Sequence, residues 1–236
     1  MSDQQQDFQQ NESYNLPKVL FLAFVAAIGG FLFGFDSGVI NGTVDALQAA
    51  FDSDATGTGF NVASVLLGCV VGAFFAGTLA DKYGRKPMML TAGVVFIISA
   101  WGSGISEGSL EFVIYRLVGG LAVGAASILA PLYISEIAPS KIRGRLATLQ
   151  QLMIVIGLFM AFMSNYALAG VSGGAQEELW MGFQTWSWMF WAEILPAALF
   201  VIVLIFIPES PRYLVASNQS EKAHKVLAAI GNAAQA

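Results

Sequence analysis

Three ionisable side chains stand inside stretches of sequence otherwise free of charge: Asp36, Arg116 and Glu193. An ionisable group in hydrocarbon costs at least about 2.5–3.5 kcal/mol unless it is paired or hydrated. Opposite charges can share one buried pair, so Asp36 and Arg116 are the first candidates for chemistry. What a carboxylate beside a guanidinium can do is exchange a proton. A close Arg116 holds the carboxylate ionised, and a withdrawn Arg116 lets Asp36 bind a proton. A static pair, or side chains reaching for the headgroups, would leave the same pattern in the sequence. Glu193 follows Trp186, Trp188 and Trp191, which read as an interfacial aromatic belt. It is read as a packed structural acid.

The elements that must position these groups are visible in the composition. Of 236 residues, 56% are hydrophobic and only 11% charged, against roughly 25% charged in a soluble domain. That excludes a water-soluble globule, a nucleic-acid binder and a disordered chain. The lone cysteine, Cys69, has no internal disulfide partner, and the lone histidine, His224, reads as a solvated residue. With no nucleophile–base pair and no cluster of metal ligands, neither an enzyme nor a cofactor or metal site is expected. Residues 1–17 are polar, carry no signal-peptide pattern and read as a disordered cytoplasmic tail.

A bilayer core needs about 20 mostly apolar residues per helix. Charge-free stretches run over 19–35, 55–80, 87–106, 117–135 and 146–176, and 179–208 is broken only by Glu193. They predict an all-α membrane bundle of six helices over 18–42, 60–80, 87–105, 112–135, 146–168 and 186–207. The polar, glycine-rich end of the fifth stretch reads as a loop. Ten of the eleven cations fall on one side of these spans. The opposite connections, 43–59, 106–111 and 169–185, hold seven acids and no cation. This asymmetry puts both termini in the cytoplasm, and the lipid bilayer is the chain's surroundings. On this layout Asp36 and Arg116 both lie roughly 8–9 Å below the outer surface, at 1.5 Å per residue. Gly30, Gly34, Gly38 and Gly42 recur at every fourth position of the first span and permit close helix contact.

At the cytoplasmic ends of the spans stand Asp81, Arg85, Glu136, Arg143, Glu209 and Arg212. Singly such charges are worth little. As a layer they can close the inner face and bias two states separated by a few kcal/mol; as isolated residues they would merely anchor helix ends.

Four motifs in order resemble a known family. Gly77-Thr-Leu-Ala-Asp81-Lys-Tyr-Gly84-Arg85-Lys86 is similar to the loop between the second and third helices of the major facilitator superfamily. Arg116-Leu-Val-Gly-Gly120, Tyr133-Ile-Ser-Glu136-Ile-Ala-Pro139-Ser-Lys-Ile-Arg143-Gly144 and Pro208-Glu209-Ser210-Pro211-Arg212-Tyr213-Leu214 narrow it to the sugar porters. The resemblance spans about residues 18–230. It implies one half of that fold, two inverted three-helix repeats, and a monosaccharide substrate, hexose or pentose. It also implies that Gln151 hydrogen-bonds sugar hydroxyls, since an amide both donates and accepts, and that Phe33 and Ile154 line the pocket. Leu158 stands where the proton-coupled xylose carriers have a second glutamine, and Ser187 where the family usually has arginine. The Asp36–Arg116 pair resembles the proton symporters; a passive uniporter, a non-transporting sugar sensor and an inactive half-transporter are the alternatives.

One half of that fold, residues 18–207, calls for a partner, either a second six-helix half or a homodimer about an axis along the membrane normal. Residues 208–236 read as a cytoplasmic segment with a short amphipathic helix over Ser220–Ile230, its apolar face formed by Ala223, Val226, Leu227 and Ile230.

Overall fold

The computed structural model describes residues 14–231. Among the described residues, six segments are long and apolar enough to cross a membrane. The first five are single helices: α1 (Leu16–Ala50), α2 (Ala55–Tyr83), α3 (Arg85–Ile105), α4 (Ser109–Ile137) and α5 (Arg143–Ser172). The sixth, Thr185–Phe206, is two helices, α6 (Thr185–Ala192) and α7 (Ile194–Phe206). A two-stranded antiparallel ribbon, β1 (Glu178–Trp180) and β2 (Phe183–Gln184), fills the connection after α5. Two short helices follow the last span, α8 (Pro211–Ala216) and α9 (Ser220–Ile230). The amphipathic helix expected over Ser220–Ile230 is α9.

The helix limits follow local chemistry. Asn15 caps α1 by accepting from the Lys18 amide at 3.2 Å, and Pro17 occupies the first turn, where a missing N–H costs nothing. Asp54 caps α2 through the Gly57 amide at 2.7 Å. Gly173, at φ +93°, closes α5 in the left-handed conformation. The break after Ala192 comes from Pro196: its ring nitrogen has no hydrogen for the Ala192 carbonyl and crowds it. The Glu193 amide turns back to Phe190 O at 3.1 Å instead.

Two expectations change. The connection expected over 43–59 is only residues 51–54, because α1 runs eight residues past Gly42 and α2 starts at Ala55. The tail expected over 1–17 falls mostly outside the described residues. Within them, Asn15 donates to the Ile230 carbonyl at 2.7 Å and Tyr14 bridges Gly231, so residues 14–17 are docked.

Packing is organised by two seams between parallel helices. α1 meets α5 where a Cβ on Gly34 would fall on the Ile154 carbonyl and one on Gly157 on the Phe31 carbonyl. α2 meets α4 the same way: Gly68 faces the Leu117 carbonyl, Gly72 that of Leu121, and Gly120 and Gly124 those of Val65 and Cys69. Helices one and five are thus paired as helices four and two are, the relation expected of two inverted three-helix repeats. α1 is the most enclosed span, lying between α5 and α4.

Candidate functional site

α1 positions the site because it presents three faces. Gly30, Gly34 and Gly38 lie on α5. Gly29, whose missing Cβ would meet Ala126 and Ala130, and Asp36, one heptad further on, face α4. Phe33, Ser37 and Asn41, spaced by four, stay half-buried or exposed on the open side.

Asp36 and Arg116 meet. The guanidinium grips the carboxylate at two points, Nη1 to Oδ1 and Nη2 to Oδ2, the latter at 3.0 Å. Asp36 is 5% exposed and Arg116 1%, so neither reaches solvent by snorkelling. The guanidinium also lies 5.6 Å from the centre of the Phe190 ring. The two side chains meet at one level, as expected, with Asp36 fourteen residues before Ala50, about 21 Å along the helix, and Arg116 about 11 Å from the start of α4. α1 therefore extends further than α4 at that end.

Glu193 is buried near this pair without an ion pair to either member among the described residues. The α6–α7 break turns it inward, 1% exposed, within electrostatic reach of both Asp36 and Arg116. Its Oε1 and Arg116 Nε have no hydrogen-bond partner among the described residues. The sequence signal was present: Glu193 stands three residues before a mid-span proline. Its neighbouring tryptophans pointed to the interface instead. Ser187, at the departure from the family pattern, is buried in α6 at 2% exposure.

Of the expected sugar contacts, Gln151 is exposed and Phe33 and Ile154 are half-buried. In a parallel pair, residues one before the contact row on one helix and one after it on the other fall on the same side of the seam. Phe33, one before Gly34, and Gln151, one after Gln150, therefore share the open side. Gln150 is on another face, as the 100° step requires. It is buried against Gly30, and its Oε1 is unpartnered among the described residues. Ser37 and Asn41 were missed by sequence reasoning, although their spacing from Phe33 was the available signal. Their side chains donate to the Phe33 and Ser37 carbonyls at 2.9 and 2.6 Å.

At the cation-rich end, three of the six expected charges form one cluster. Arg85 Nη2 donates to Asp81 Oδ1 at 2.8 Å and to Glu136 Oε1 at 3.0 Å, while Nη1 donates to the Ala80 carbonyl at 3.0 Å. Glu209 acts through backbone instead, accepting from the Arg85, Lys86 and Ser210 amides at 3.1, 3.2 and 2.7 Å and so capping α3. Gly84 makes this possible: its φ is +102°, and a Cβ there would collide with that carboxylate. Arg212 lines a cavity of about 390 Å³ beside Asp81, Arg85 and Glu136. It makes no ion pair among the described residues. Arg143 donates to the Ala138 carbonyl at 3.4 Å rather than to an acid. The six do not form one continuous network.

The arrangement has counterparts among known proteins. The family model described as "Sugar (and other) transporter" matches residues 22–236. The chain is 50% identical over 214 residues to a glucose transport protein of Synechocystis sp., a match covering 90% of this chain and 46% of that protein. It is 37% identical over 243 residues to the D-xylose-proton symporter of Escherichia coli, covering 92% of this chain and 49% of that one. Among solved structures, the proton:xylose symporter XylE bound to 6-bromo-6-deoxy-D-glucose superposes with a TM-score of 0.86 at 37% identity, over 92% of this chain and 50% of that chain. A partially occluded inward-open form of the E. coli xylose transporter gives 0.82 at 36% identity, over 89% of this chain and 54% of that chain. The chain spans about half the length of the relatives it matches. Six spans in paired repeats, a family model covering nearly all described residues and these superpositions agree, and the chain belongs to the sugar porters of the major facilitator superfamily.

Proposed function

We propose that this chain is one six-helix half of a carrier that moves a hexose or pentose together with a proton. The observation that carries the reading is the buried, two-point Asp36–Arg116 pair at the α1–α4 contact, beside an open face bearing Phe33 and Gln151. Asp36 is the proton site and Arg116 its counter-charge. While the guanidinium holds both carboxylate oxygens, Asp36 stays ionised; a helix shift that draws Arg116 away leaves a buried carboxylate that takes up a proton. Glu193, in reach of the same guanidinium, is the second acid able to hold it.

Gln151 supplies an amide that both donates to and accepts from sugar hydroxyls. Phe33 covers the apolar C–H face of the ring, and Ile154 closes the wall beside it. Left in lipid, the exposed Gln151 amide would lack polar partners, so the open side is covered by a second six-helix unit, a further half or a second copy. The Asp81–Arg85–Glu136 cluster latches the cation-rich end, assisted by Glu209 through the α3 cap and by Arg143 and Arg212 when they swing onto acids. The concentration of cations at that end supports a cytoplasmic position for it, in a protein of the plasma membrane on this reading.

The test is sugar uptake into vesicles by the complete assembly. Asp36→Asn is expected to abolish accumulation driven by a pH gradient while leaving counterflow of sugar; accumulation that survives overturns the proton role. Gln151→Ala is expected to weaken sugar binding by about 1–3 kcal/mol, measured by titration calorimetry. Unchanged affinity removes Gln151 from the site. Uptake by the unaltered protein that ignores the pH gradient assigns passive carriage instead.

A further inference from the structure

The cation-rich end holds a second cleft, which the transport reading leaves unused. The start of α1, the end of α7 and the face of α9 meet there. They are held together by the backbone bond from Asn15 to Ile230 and the Tyr14–Gly231 bridge. The cleft is about 380 Å³ and presents Lys18 and Phe21 from α1, Phe206 from α7, and Lys225 and Val226 from α9.

Its charge is one-sided. No acid lines it, and the ammonium groups of Lys18 and Lys225 make no ion pair or hydrogen bond among the described residues. Its floor is the opposite: Phe21 and Phe206 are 49% and 76% exposed and belong to two membrane-spanning segments. An occupant must therefore bring an anion for the lysines and hydrocarbon for the phenylalanines. Free phosphate meets only the first need, and a zwitterionic lipid brings its phosphodiester together with a cation for which the cleft has no acid.

We propose that this cleft binds an anionic membrane phospholipid, its phosphodiester between Lys18 and Lys225 and an acyl chain along Phe21 and Phe206. The bound lipid joins the first span, the sixth span and α9. Two lysines at a lipid surface attract acidic headgroups, while the aromatic rings fix the depth of the chain. The inference is independent of whether the protein carries sugar or protons.

Native mass spectrometry of the chain, released from micelles holding equal amounts of phosphatidylglycerol and phosphatidylcholine, tests it. Retained lipid is expected to be enriched in phosphatidylglycerol, about fivefold for each lysine. The Lys18→Ala/Lys225→Ala pair is expected to return the ratio to near one. Lys18→Arg/Lys225→Arg is expected to keep the enrichment, as is Lys222→Ala, which alters an α9 lysine outside the cleft. If the double alanine chain does not fold, Lys225→Gln, at an exposed helix position, carries the test and is expected to lose about fivefold. No preference in the unaltered chain, enrichment that survives loss of both lysines, or displacement of the lipid by inorganic phosphate at constant ionic strength would overturn the proposal.

Discussion

The α1–α5 and α2–α4 seams use one device for different ends. Both bring parallel helices close enough for glycine to lie on a neighbouring carbonyl. At α2–α4 the contact is backbone on backbone, with Gly68 facing Gly120, Gly72 on Leu121 and Gly124 on Cys69, and the outer face of α2 is apolar over 60–75, with Val70 and Phe74 exposed. At α1–α5 the row is closed at each end by an amide. Gln150 packs on Gly30, and Asn165 lies on Gly42 and donates to the Gly38 and Val39 carbonyls at 3.1 and 3.3 Å. The α2–α4 seam has one side-chain bond of this kind, at one end, from Ser109 Oγ to Asn61 Oδ1 at 2.5 Å. The other has its register pinned by side chains and carries Gln151 and Phe33 beside it. Repeats of the same architecture thus diverge in the side chains that close their seams. Asp36 and Arg116 lie on α1 and α4, one helix from each seam, so movement of either seam moves the pair.

The largest expected effect comes from breaking the link between the seams. Asp36→Ala strands the Arg116 guanidinium in a dry site, and loss of one partner of such a pair costs about 3–5 kcal/mol. Thermal unfolding in detergent is expected to register it, with Asp36→Ala/Arg116→Met recovering most of the loss. If the single change costs nothing, the pair is not a joint between the helices. Next come the glycines themselves. Gly34→Ala and Gly72→Ala each push a methyl onto a backbone carbonyl and are expected to cost about 1–3 kcal/mol. Gly77→Ala, in open space on α2, is expected to cost nothing. Equal melting temperatures for all three would remove the seams as the basis of packing. The smallest effect sharpens the contrast: Asn165→Ala removes an interhelical hydrogen bond worth about 0.6 kcal/mol in a membrane. Its consequence should be a looser α1–α5 register, read as faster cross-linking between cysteines introduced at mismatched positions along the two helices.

Much of this was legible beforehand for particular reasons. The six spans were readable because hydrocarbon excludes charge, so composition alone marks them. The Asp36–Arg116 pair was readable because two lone opposite charges in lipid have few other destinations. Gln150 and Gln151 were separable because adjacent helix positions diverge by 100°. The limits of α1 were not, since Asn41, Asp45 and Gln48 look like loop but continue a helix beyond the apolar stretch. The six-member charge layer was not readable either. Arg85, Asp81 and Glu136 converge, whereas Glu209 is taken by the amides of α3, because an acid near a helix start finds unpaired N–H groups as attractive as a cation.

By itself the sequence determined the number of spans, the end at which the cations collect and the short list of charges needing partners. Each of these is set by transfer free energies that act residue by residue, without reference to a neighbour. The tertiary structure alone decided which neighbours were brought together: that Glu193 is buried near the Asp36–Arg116 pair, that Gln150 packs on Gly30 while Gln151 stays open, and that Lys18 and Lys225 line one cleft. Those outcomes depend on which helix faces meet and at what register, distances that no single segment encodes.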